Sequence, residues 1–121
     1  MEKIPKFEQQ LQELLVDQTQ SMKLLLLKAY WIANYTEIKD DERLKKYAVK
    51  AKEAVEKYSG KIIARSANNV TLEGREMVRV ALAEFPDIET AKNCYNSEEY
   101  VEARKHLENN ATREHIIFEG M

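Results

Sequence analysis

Apolar positions along the chain switch between two periods. Over 40–60, DDERLKKYAVKAKEAVEKYSG, they recur three and four apart: Leu44, Tyr47, Ala48, Ala51, Val55 and Tyr58 fall on one stripe. That spacing predicts an amphipathic helix packed along one side. Asp40 or Asp41 can cap its start, the acids of its first turn suit the helix dipole, and Gly60 is placed to end it in a left-handed conformation. Over 23–35, KLLLLKAYWIANY, Leu, Ile and aromatic residues run on without helical gaps, which predicts a strand. KIIARS, 61–66, predicts a second strand, with Asn68 and Asn69 as a turn and VTLEG, 70–74, continuing it towards a turn at Gly74. EMVRVALAEF, 76–85, predicts a third strand ended by Pro86. Asp87 then caps a helix over 88–97, and Ser97 caps a further helical segment over 98–111. REHIIFEG, 113–120, predicts the last strand.

The resulting order is β-α-β-β-α-β. It predicts an α+β, ferredoxin-like fold: a four-stranded antiparallel sheet with both helices on one face. Ahead of it, Phe7, Leu11, Leu14, Leu15 and Gln18 recur at helical spacing after Pro5, which predicts an N-terminal helix. Residues 1–21 therefore read as an extension and 22–121 as the domain.

The strands are apolar on both faces. In the first, Leu24, Leu26, Tyr30 and Ile32 alternate with Leu25, Leu27, Ala29, Trp31 and Ala33; in the third, Val78, Val80 and Leu82 alternate with Met77, Ala81, Ala83 and Phe85. The last strand sets Ile117 against Ile116 and Phe118. A sheet with helices on one face should turn polar on the other if that face meets water. This one does not, so something covers it, and a second copy related by a two-fold axis is the simplest cover. The expected state is a homodimer.

Composition narrows the function classes. The 121 residues carry a net charge of −2 and no basic patch, which argues against nucleic acid as a partner. A single cysteine, Cys94, makes no internal disulfide and suits a reducing cytoplasm. The apolar run Leu24–Leu27 is too short to span a bilayer and too deep in the chain for a signal segment, so no membrane association is expected.

The segments KAYWIANY, EKYSGKIIARS, LEG, ALAEFPDIETAKNCYNSEEY and IIFEG fall in the order and spacing of the family known as domain of unknown function 1330 (DUF1330), which the chain resembles over about 22–120. The resemblance implies membership of the dimeric α+β barrel superfamily, in which two ferredoxin-like sheets pack face to face. It implies no activity. The chain departs from the family pattern at Ser66 and Ala67, where relatives carry a glycine pair, which assigns the strained positions of that turn to Asn68 and Asn69. It departs again at Glu98, where relatives carry proline.

Two groups of residues are candidates for a site. Around CYNSEEY, Tyr95 and Tyr100 are candidates to reach a ligand with their hydroxyls beside Ser97; alternatively Ser97 caps a helix and the tyrosines pack rings inward, hydroxyls outward. On the strands, Lys28, Tyr30 and Asn34 share one parity, with Arg65 and Glu84 on neighbouring strands. Arg65 and Glu84 then face each other, either as a buried pair that fixes register or with Arg65 holding a carboxylate or enolate while Glu84 or Tyr30 moves a proton. His106 and His115 have no acid or second histidine at ligand spacing, so neither a metal nor another cofactor is expected, and Cys94 reads as a core residue. The sequence thus predicts a dimer that binds a small anionic or carbonyl-bearing molecule, with cofactor-free catalysis as its extension. The alternative is a non-catalytic binding or assembly module.

Overall fold

The computed structural model describes residues 27–121. Strand β1, Ala29–Ile38, is followed by helix α1, Asp41–Lys57, strand β2, Lys61–Ser66, and strand β3, Arg79–Phe85. Helices α2, Ile88–Tyr95, and α3, Glu98–Arg104, a 3₁₀ turn over Lys105–Leu107 and strand β4, Ala111–Glu119, complete the chain. The strands form one antiparallel sheet in the order β2-β3-β1-β4, the ferredoxin-like arrangement that the sequence predicts. The predicted helix over 4–20 and the residues 23–26 of the predicted first strand lie outside the described residues.

Each helix starts on the cap that the sequence marks. The Asp40 carboxylate accepts from the backbone N–H of Glu42 and Arg43, Asp87 from Thr90, and Ser97 from Tyr100. The end of α1 differs from expectation. Ser59, at φ 60°, is the left-handed residue, and Gly60 is small for another reason: a Cβ there would sit 2.6 Å from the Phe85 ring. Asn68 and Asn69 do not take positive φ either; the Ser66 hydroxyl accepts from the Asn68 N–H and shapes that turn instead. Residues 70–78 form a loop rather than a continued strand, so β3 is shorter than predicted. The segment 98–111 stops early as a helix because Asn109 turns left-handed at φ 55°, and buried Asn110 bonds back to Asp40 and His106.

The helices cover one face of the sheet. Ala29, Trp31, Ala33, Tyr35, Ala83 and Phe85 are buried there against Leu44, Tyr47, Ala51 and Val55 of α1 and Ala91, Cys94, Tyr100 and Ala103 of α2 and α3. Cys94 is wholly buried, and burial, helped by Glu99, pushes its thiol up to about 12, as befits a core residue. The opposite face presents Tyr30, Ile32, Val80, Leu82, Ile116 and Phe118, with Ile116 57% and Phe118 43% exposed. Among the described residues no helix is long and apolar enough to cross a membrane.

Candidate functional site

Register places three strand residues in one row on the helix-covered face: Arg113 of β4, Tyr35 of β1 and Arg79 of β3. The next row sets His115 of β4, Ala33, Ala81 and Arg65 side by side. The alanines are too short to reach α1, where Ala48 and Ala51 are short as well. A cavity of about 50 Å³ remains, lined by Trp31, Ala33, Tyr35, Tyr47 and Arg113 within and by Arg65 and Arg79 nearer solvent. Of its lining residues three are arginines and none is acidic.

Arg113 is the centre of the site. Its Nη1 donates to the hydroxyls of Tyr35 at 3.3 Å and Tyr47 at 3.0 Å, and its Nη2 donates to Tyr100 at 3.0 Å. The Tyr47 and Tyr100 hydroxyls bond to each other at 2.5 Å. Burial works against the guanidinium charge, yet the surrounding phenolic oxygens more than offset it, so Arg113 is a cation at every working pH. Burial pushes Tyr35 up to about 12 and raises Tyr47 and Tyr100 too, so all three are neutral phenols near pH 7. Three guanidinium bonds are thereby committed, leaving donors of the five-donor fork for a further acceptor. A buried, fixed fork beside neutral phenols can hold a carboxylate, an enolate or a polarised carbonyl.

Beyond Trp31, His115 lies edge-on to the rings of Trp31, at 4.6 Å between centroids, and Tyr95, at 5.6 Å. Burial, then the charges of Arg113 and Arg104, pull its imidazole down to about 3. The unfolded chain protonates its histidines near pH 6.5, so His115 costs stability as pH falls from about 6.5 towards 3, with a slope approaching 1.4 kcal/mol per unit. Urea unfolding between pH 7 and pH 4 should show this loss, and His115→Phe should flatten it. Equal pH dependence in both proteins would place the titrating group elsewhere.

The residues singled out from sequence divide between the two faces. Tyr30, Asn34 and Glu84 lie on the open face, where Glu84 pairs with Lys28 at 3.0 Å. Arg65 does not join them. A β-bulge between Ile62 and Ala64 adds a residue to β2 and turns Arg65 to the helix-covered face, opposite Ala81, so the expected Arg65–Glu84 pair does not form. Tyr100 points its hydroxyl inward to Arg113, contrary to the rings-in, hydroxyls-out reading, and the Tyr95 hydroxyl accepts from Arg104 Nη1. Ser97 is the α3 cap and also donates to the Cys94 carbonyl. Arg113, Tyr35 and Tyr47 were not anticipated; the signal was Arg113 sharing parity with Ile117 on the helix-facing side of β4.

A model of the family described as domain of unknown function (DUF1330) matches residues 28–121. Among curated proteins, none matches this chain. Of solved structures, a protein of unknown function from Rhodopseudomonas palustris is similar with a TM-score of 0.63 at 16% identity, over 79% of this chain and 84% of that one. SnoaB, a cofactor-independent oxygenase from Streptomyces nogalater, is similar with a TM-score of 0.59 at 10% identity, over 78% and 94% of the two chains. A dimeric protein of unknown function and ferredoxin-like fold from Bacteroides fragilis is similar with a TM-score of 0.52 at 23% identity, over 77% and 96%. At these identities the likeness is one of fold.

Proposed function

Since the chain belongs to the DUF1330 family, whose name assigns no activity, we propose from the site itself that it binds a small organic anion or carbonyl compound between the sheet and α1, with Arg113 as the anchor. The observation that carries this reading is the company Arg113 keeps. Among the described residues its side-chain partners are three phenolic oxygens and no carboxylate. Those phenols hold the guanidinium as a cation yet leave donors of its fork unused, and a bound carboxylate takes both the charge and the spare donors. Arg79 and Arg65 draw the anion in, and the walls of Trp31, Leu44 and Val55 take its apolar part.

The same groups suit catalysis without a cofactor. An enolate or phenolate on the ligand would be held by Arg113, with the Tyr47–Tyr100 pair ready to exchange a proton with it. The description of SnoaB as a cofactor-independent oxygenase agrees with such chemistry on this fold, by analogy alone. The open apolar face of the sheet takes a second copy of the chain, a homodimer, in keeping with the dimeric description of the Bacteroides fragilis protein. A lone, buried thiol at Cys94 supports a cytoplasmic setting. The family match from residue 28 supports reading 1–21 as an extension to a domain starting near residue 22.

A thermal-shift panel of small carboxylates and ketones tests the binding. A ligand at ten times its Kd stabilises by about 1.4 kcal/mol, which raises Tm by several degrees in a domain of this size. A panel in which no small acid or ketone moves Tm would count against the reading.

A further inference from the structure

Outside the Arg113 cavity, three polar side-chain atoms are buried without a protein hydrogen-bond partner, and among the described residues they are the only ones: both ring nitrogens of His115 and Nε of Arg104. They lie together. His115 borders a cleft of about 280 Å³ shared with Tyr95 and Ile117 along the edge strand β4. Arg104 reaches over from α3, its guanidinium carbon 4.1 Å from the centre of the Tyr95 ring, with Nη1 donating to the Tyr95 hydroxyl at 3.0 Å. Buried polar atoms elsewhere in proteins are paired almost without exception, so three unpaired ones around one tyrosine call for a partner. Two cationic or potentially cationic groups and no acid in contact specify an anion. The ring of Tyr95, with Ile117, specifies a flat apolar body beside it.

We propose that this cleft is a second ligand site, which takes a small aromatic carboxylate onto Arg104 and His115, with His115 gaining a proton as the anion binds. Arg104, only half-buried, turns from the Tyr95 hydroxyl to the carboxylate. The proton comes from solvent and goes to the imidazole nitrogen that faces the carboxylate; no other bond is made or broken. Among the described residues the charged groups acting on His115 are Arg113 on its own strand and Arg104 on α3, both positive; Trp31 of β1 and Tyr95 of α2 present aromatic rings to it. Those two cations and burial keep the free imidazole neutral. A carboxylate between Arg104 and His115 reverses the local sign and raises the imidazole's affinity for a proton. The site is built on Arg104 and His115 rather than on the Arg113 fork.

The chain has two histidines, His106 and His115, so imidazole nitrogen spectra of the intact protein resolve the question. Benzoate is the probe, added at pH 6.5. Expected is a neutral His115 pattern that converts to the imidazolium pattern as benzoate saturates, with His106 unmoved. Binding should weaken as pH rises through the bound-state pKa, by up to about tenfold per unit, the limit for one linked proton. Arg104→Met should abolish the conversion. An unmoved His115 at millimolar benzoate overturns the proposal. So does a response that survives Arg104→Met, which assigns benzoate to the other cavity. If Arg104→Met does not fold, Tyr95→Phe takes its place: it releases Arg104 from its hydroxyl partner and should tighten benzoate binding, and weaker binding would overturn the proposal.

Discussion

Arg113→Met is expected to give a folded protein that no longer binds a small carboxylate such as pyruvate. A hydrogen bond to a charged group contributes about 1.5–3 kcal/mol, and the fork offers a carboxylate two. Losing both raises Kd by at least about a hundredfold. Stability should change far less. Methionine keeps much of the side chain's apolar volume, and Tyr47 and Tyr100 keep their bond to each other. Only the Tyr35 hydroxyl loses its partner. Arg113→Lys keeps the charge but not the fork, so it should recover little of the binding. The readout is Tm with and without pyruvate. A folded Arg113→Met protein with unchanged pyruvate affinity would remove Arg113 from the site.

The second large effect is on assembly. Leu82 sits near the middle of the open face, opposite Ile32 of β1 and Ala64 of β2. In a two-fold dimer, Leu82→Asp places an unpaired carboxylate in the interface twice. Each costs several kcal/mol, so dimerisation should weaken by at least about a thousandfold. Sedimentation should show the wild-type protein at twice 14.1 kDa and the variant at 14.1 kDa. The variant monomer should remain folded, because its helix-covered core is untouched. A wild-type chain that sediments as a monomer at micromolar concentration would contradict the dimer.

The fold was legible because period, caps and two-sided strands agree. The stripe from Leu44 to Tyr58 could only be a helix, and Asp40, Asp87 and Ser97 marked helix starts that the backbone confirms. Turn geometry was less legible, since Ser59 rather than Gly60 took the left-handed position, on account of what Phe85 leaves room for. The candidate site was half legible. Tyr100 was singled out beside Ser97, but the direction of its hydroxyl depends on Arg113, thirteen residues on and across a layer boundary. Arg65 was assigned to the wrong face because a single bulged residue inverts strand parity, and nothing in KIIARS announces a bulge. Arg113 escaped notice because a lone arginine on an edge strand reads as solvated; what distinguishes it is the row it shares with Tyr35 and Arg79.

The central claim is that Arg113 receives a ligand anion, and the arginine side-chain nitrogen spectrum reads this most directly. During a pyruvate titration at pH 7, the Arg113 Nε–H signal, assigned by its loss in Arg113→Met, should shift and saturate with the Kd that thermal stabilisation gives. An Arg113 signal that stays fixed while pyruvate stabilises the protein would contradict the account.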